Sequence, residues 1–436
     1  MPANASPEPP AAAPPPRPRA AVWTGTTYFA EGLPWSVLHQ IAAEFFTAIG
    51  LPARQVGYTS ALHLTNTLKF VWSPLVDLFG SLRGWMIATQ ALLGVAIGGL
   101  ALAADHLAGG GGSSSLVWFV LVVIGILSAT HDIACDGYYM DALDPAAQAR
   151  FSGVRVAAFR LAMLVGSSAL VYLGGRVSWL LAFGAAALIF AGLTLFHRFF
   201  LPRGAGEARV RPRGDDDRLR HVLAAYASFL GQPRARYVLA FLITYKLGDA
   251  LMFGMSKVLL RDLGVITEVR GVLNGFGTAA AIGGAIVAGA WISRVSLRRA
   301  LVPITIAMAA TEPLYLILAG YVAPIKVAAG LGAPAALAGL HGPPLALVGG
   351  ILMIEQFAGG LATAAQMVFI MRHCHPDHKA AHFAFATALY SLAQTASGTY
   401  SGVVYEGWGP IGYFGVTSLI CVPCLLLLPR VLPREG

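Results

Sequence analysis

Glu31, Lys69, Asp132, Asp136, Arg160, Lys246, Asp249 and Glu355 stand inside long apolar runs of this 436-residue chain. A charged side chain at mid-bilayer costs on the order of 3 kcal/mol on insertion scales, so such residues need a reason to be there. Asp132 and Asp136, in Ala129-Thr-His-Asp132-Ile-Ala-Cys-Asp136, are four apart, and a helix puts both carboxylates on one face. Like charges so close in low dielectric do not both stay ionised unaided, which suits the pair to carrying a proton. Glu31, Asp132 and Asp136 are therefore expected to couple protons to movement. Arg160, in the next run, is the expected counter-ion of one aspartate. Lys246 and Asp249, at i and i+3, can neutralise each other, and Lys69 is a further ion-pair partner. The competing reading is that these pairs only hold helices together.

A polar pathway of this kind also needs a lining. Tyr28, Trp35, Tyr138, Tyr139 and Tyr245 are candidate stacking surfaces for a sugar or another planar ligand, with Asn66, Glu355 and Gln356 as polar contacts. Trp72 and Tyr390 belong to the same aromatic set. Taken singly, each aromatic is more often a helix-packing or interfacial residue. His131 next to Asp132 can assist a proton, or simply be hydrogen-bonded. Asp141 falls at a mouth and reads as a solvated or capping residue. His373-Cys374-His375-Pro-Asp377-His378 has metal-capable side chains but lacks a spaced ligand set, and Cys421-Val-Pro-Cys424 has redox spacing inside an apolar span.

The elements that must position these residues follow from hydropathy. Of the chain, 56% is hydrophobic and 12% charged, against roughly a quarter charged in soluble proteins. That balance disfavours nucleic-acid binding, disorder and a secreted disulfide scaffold, the last also because there are only four dispersed cysteines. Twelve apolar runs near the roughly 20 residues that span a bilayer are counted. Six lie at 22–48, 56–76, 84–104, 116–140, 151–173 and 178–200, and six at 237–260, 268–291, 300–322, 345–371, 380–402 and 410–430. The expected fold is an all-α membrane protein of twelve transmembrane helices in two pseudo-symmetric six-helix halves. Residues 21–200 and 237–431 form the halves, 201–236 a polar cytoplasmic linker, 1–20 a disordered Pro/Ala-rich tail without signal-peptide character, and 432–436 a short C-terminal tail.

The formal net charge of +9 is explained by topology. Alternating segments that include the N-terminus hold 20 Lys and Arg, and the opposite loops hold 5 (Arg54, Arg176, Arg261, Arg270 and Lys326). Both termini and the linker are accordingly expected in the cytoplasm. No phosphate-cradling loop, nucleophile elbow or ATP motif is present, so no cofactor, no metal and no enzyme activity are expected, and an ion gradient would supply the energy.

The segments FAEGLP (29–34), TLKFVWSPLVD (67–77), RGWMIATQ (83–90), HDIACDGYYMD (131–141), FRLAMLVG (159–166) and YKLGDALM (245–252) resemble the AmpG permeases of the major facilitator superfamily, which are related to acetyl-coenzyme A transporters. The resemblance runs through nearly all twelve runs. It implies a rocker-switch carrier in the bacterial inner membrane, working as a monomer, that imports N-acetylglucosamine–anhydro-N-acetylmuramyl peptides with protons for peptidoglycan recycling. It places the family's aspartates on Asp132 and Asp136, its arginine on Arg160, and its Lys/Asp pair on Lys246 and Asp249. The superfamily's gating motif matches in part, through Asp77, Gly80 and Arg83. Two positions depart: Glu31 stands where a small polar residue is usual, and Tyr139 or Met140 where a basic one is. An acetyl-coenzyme A carrier is the second reading and predicts a more cationic cavity. A polytopic enzyme would have only the 373–378 cluster to work with, and a sensor would need a larger folded module than the insert allows.

Overall fold

A computed structural model describes residues 18–202, 227–330, 342–374 and 379–432. The described residues are helical throughout, without strands, and trace twelve main helical runs. In the first half these are α1 (18–48), α2 (53–78), α3 (Leu82–Ala108), α4 (Ser115–Ala142), α5 (145–176) and α6 (Trp179–Phe200). In the second they are α7 (235–262), α8 (Thr267–Val295), α9 (297–330), α10 (Leu345–Arg372), α11 (379–408) and α12 (410–431). Nine helices among the described residues are long and apolar enough to cross a membrane. That number counts 385–431 as one helix, although Gly409 (φ 68°, ψ 174°) breaks it into α11 and α12. The expected tail and linker differ slightly: α1 already begins at Pro18, whose fixed φ suits a first helical turn, and helix resumes at 227 within the expected linker.

Interruptions in four of the runs position the chemistry. In α1 a π turn, Val37–Ile41, separates Pro18–Ser36 from Ala42–Ala48, and in α5 a π turn, Val165–Leu170, follows Pro145–Leu164. The two π turns adjoin, because a Cβ built on Gly166 would overlap Ser36 Oγ. The run α2 is a chain of short α and 3₁₀ pieces, with Lys69 opening the 3₁₀ turn Lys69–Val71. In α7, Lys246 (φ −115°, ψ 19°) is the non-helical joint between Ala235–Tyr245 and Leu247–Asp262. Both intramembrane lysines called out by the sequence thus stand at helix breaks, where backbone and side chain can turn inward together.

Close packing within each half rests on small residues, as membrane helices require. A Cβ on Gly284 (α8) would overlap Phe357 O, and one on Gly360 (α10) would overlap Ala281 O. Large apolar side chains such as Val95, Leu188, Phe199, Ile286 and Leu426 point outward, the surface expected of a protein solvated by lipid. Three polar links between the halves gather at one end, the end of the 49–52 loop. There Arg270 meets Glu44, Arg54 meets Glu406, and Arg261 donates to Leu51 O at 3.1 Å.

Candidate functional site

The carboxylates of Glu31, Asp132 and Asp136 come together in the first half, with one oxygen of each lying within 4.8 Å of the others. Helix α1 supplies Glu31, and α4 supplies the two aspartates from one face, as their i,i+4 spacing requires. Lys69 pairs with Asp132 from the break in α2. Arg155 of α5 pairs with Asp136 at 2.8 Å, and Tyr28 donates to the same Asp136 Oδ1 at 2.7 Å. Arg155 also lies over the Tyr28 ring, 4.4 Å from its centroid. Glu31 Oε2 is buried without a hydrogen-bond partner among the described residues. Three carboxylates against two cations leave one negative charge, so a single proton or cation balances the group. The oxygen set is the kind that binds hard cations, but two of the three acids are already held by Lys69 and Arg155.

In the second half, Lys246 meets Asp249 at 3.0 Å, as their spacing foretold, and also donates to Thr363 Oγ1 at 2.9 Å. Glu355 of α10 is 4% exposed and accepts from Gln356 Nε2 at 2.9 Å and from Tyr315 OH at 3.4 Å. Gly359 keeps Asp249 and Glu355 open to each other. A Cβ there would lie 3.1 Å from Asp249 Oδ1 and 3.8 Å from Glu355 Oε1.

Several expectations are corrected. Arg160 is not the counter-ion: its side chain contacts Met163 Sδ at 4.0 Å, and Arg155 takes that place. Helices α4 and α5 meet at the bend at 143–144, and both pack against α1, which carries Tyr28 and Glu31. Arg160 lies five residues, about 7.5 Å, farther along α5 than Arg155. Tyr28, Tyr138, Tyr139 and Tyr245 are at most 4% exposed and belong to the packed interior rather than to a lining. Tyr138 donates to Pro202 O and Tyr139 to Gln148 O, while Trp23 packs edge-on against both rings. Trp35 is half-buried against His39, His63 and Phe159. Asn66 and Gln356 remain half-buried, with Asn66 Oδ1 lacking a partner among the described residues.

His131 is fully buried and hydrogen-bonded to Gln90, which links onward to His197 and Thr26. Arg83 donates to Arg198 O, and Asp141 is exposed. The side chain of Asp77, and residues His375, Pro376, Asp377 and His378, lie outside the described residues. His373 and Cys374 hydrogen-bond to the last turn of α10, and Cys421 and Cys424 are free thiols.

Several charged residues were given no site role by the sequence reading. Arg155 and Glu312 lie inside apolar runs and carried the same signal as the eight that were noticed. Glu44 and Arg270 lie at run ends, 226 residues apart, and form an ion pair of 2.8 Å with exposures of 0% and 2%. Asn274 donates to the other Glu44 oxygen at 3.0 Å.

Comparison with known proteins agrees with this architecture. Residues 22–346 match the Major Facilitator Superfamily. The chain is 28% identical over 420 residues to the anhydromuropeptide permease of Escherichia coli K12, covering 92% of this chain and 77% of that one. It is 24% identical over 408 residues to putative transporter AmpG 4 of Rickettsia conorii, covering 91% and 92%. Among solved structures, it superposes on a mutant of the peptide transporter POT in complex with sulfate, with a TM-score of 0.70 at 13% identity, covering 95% of each chain. The nucleoside transporter NupG gives a TM-score of 0.65 at 13% identity, covering 95% of this chain and 100% of that one.

Proposed function

The chain belongs to the Major Facilitator Superfamily, and from that premise we propose that it imports N-acetylglucosamine–anhydro-N-acetylmuramyl peptides across a bacterial inner membrane, each with a proton. The substrate class is supported by similarity to the anhydromuropeptide permease over 92% of the chain. The coupling is supported by one observation above all, the three carboxylates of Glu31, Asp132 and Asp136 held by only two cations. A proton on this group competes with Lys69 and Arg155 for the same oxygens. Binding it loosens an ion pair and changes the charge that the first half presents to the second. Protonation and substrate binding then bias the same two-state rocking equilibrium.

The orientation in this reading follows the Lys/Arg bias, which puts both termini in the cytoplasm and the 49–52 loop outside. The Glu44–Arg270 and Arg54–Glu406 links then close the outer side, and the substrate path opens inward. The ion gradient serves as the energy source in place of a cofactor, and the carrier works as a monomer.

Uptake of a labelled anhydromuropeptide into proteoliposomes under an imposed pH gradient tests both parts. Accumulation should collapse with the gradient and with Asp132→Asn or Asp136→Asn. Transport indifferent to all three would refute the coupling, and absence of muropeptide transport in the unaltered protein would refute the substrate. An acetyl-coenzyme A carrier fares worse in this structure, because each central cluster holds more carboxylates than cations.

A further inference from the structure

The second half contains an arrangement that the coupling scheme above does not use. Glu312 ends the first piece of α9, immediately before Pro313, and is 0% exposed. Neither of its oxygens has a nitrogen or oxygen donor among the described residues, the Cys421 thiol being the weak donor beside it. Its surroundings are contributed by several other elements: Asp249 and Lys246 from α7, Glu355 from α10 and the Cys421 thiol from α12. Tyr315, one turn along α9, donates to Glu355 and so ties α9 to α10. Gly248 leaves the gap in which these groups meet. A Cβ there would overlap Cys421 Sγ and lie 3.5 Å from Glu312 Oε1.

The charges do not balance if all are ionised. Asp249, Glu312 and Glu355 face one cation, Lys246, and that lysine is already engaged by Asp249 and Thr363. An ionised carboxylate with no cation of its own and only a thiol as donor is among the most costly groups a protein interior can hold, and it takes up a proton instead. Glu355 retains two donors, so it can hold a charge that Glu312 cannot. Asp249 is the most accessible of the three acids, with a side chain 17% exposed, and it connects the buried pair to the centre of the molecule.

We propose that Glu312 and Glu355 form a second proton-binding site, in the half opposite Glu31, Asp132 and Asp136, with Lys246–Asp249 as its contact with the central path. Glu312 holds a resident proton, and Glu355 gains and loses one. Each half of the carrier then brings its own protonation equilibrium to the rocking motion. The proposal rests on the proton-coupled reading for its role in transport, but not for its existence.

Difference infrared spectroscopy of the full chain in liposomes reads it without any substrate. The carbonyl stretch of protonated carboxylic acid should persist at a pH where exposed carboxylates are ionised. Glu312→Gln should remove part of that band, and Glu355→Gln the part that varies with pH. Lys246→Met should add to the band, because Asp249 loses its cation, and Glu355→Gln decides the matter if Glu312→Gln does not fold. A band unchanged in all three variants would overturn the proposal. In transport, Glu355→Gln should lower gradient-driven accumulation by about tenfold, whereas Glu312→Gln, which mimics the resident protonated form, should act much less. If the unaltered protein moves no muropeptide, the substrate reading fails while the infrared result stands by itself.

Discussion

Glu44 and Arg270 meet at 2.8 Å across the seam between the two halves, with almost no exposure to solvent. Removing one partner of such a pair strands a buried charge, at a cost of about 3–5 kcal/mol. Glu44→Gln or Arg270→Gln should therefore lower the thermal unfolding midpoint, or shift the carrier toward a state open at that end. Cysteine labelling at Ser60, packed against Gly398 on the same seam, would report the opening as faster modification. The double variant should be milder than either single change. Equal or additive damage would mean that the pair does not close the seam.

Arg155 and Arg160 make a direct contrast. Arg155→Ala removes the cation from Asp136 and should cut gradient-driven uptake by about tenfold or more. Arg160→Ala removes a contact to Met163 and should act much less. Proteoliposome uptake of both variants at matched protein amounts separates them, and the reverse ranking would contradict the pairing.

Glycines at two kinds of crossing should respond differently. Gly402→Ala drives a methyl into Ala53 O, between the halves, whereas Gly360→Ala drives one into Ala281 O, inside the second half. The first should favour separation at the 49–52 end, seen as increased labelling there, with little loss of stability. The second forces α8 and α10 apart and should lower the unfolding midpoint without opening the seam.

Gln90 bridges two buried histidines, His131 and His197. Gln90→Leu keeps the volume but leaves ring nitrogens without partners, a loss of roughly 1–3 kcal/mol for each buried group stranded. Thermal unfolding in detergent should register it. Because this network lies beside the proton group rather than in it, the pH dependence of uptake should keep its shape.

Much of this organisation is legible in the sequence, for identifiable reasons. Apolar runs locate the helices because lipid leaves the backbone no other way to satisfy its hydrogen bonds. Asp132 with Asp136, and Lys246 with Asp249, could be assigned as neighbours because their spacing sets them on one helix face. Partners on different helices are another matter. Choosing Arg155 over Arg160 depends on how α4 and α5 pack around α1, and Glu44 finds Arg270 only through the tertiary arrangement of the halves. The tyrosines show the same boundary. Their types suit a ligand, but whether a ring faces a path or a neighbouring helix is decided by rotation about the helix axis, which hydropathy does not encode when every face is apolar.

The π turn at Val37–Ile41 gives α1 the properties of a crank. On one side of it Glu31 joins the carboxylate group of its own half, and on the other Glu44 grips the opposite half. A one-residue change of register there, from π to α, swings everything beyond it by about 100° around the helix axis. The π turn of α5 lies against it at the same level, with Gly166 packed on Ser36. Torque generated at Glu31 would thus arrive at the far seam as rotation rather than as displacement, with thirteen residues of one continuous backbone as its shaft.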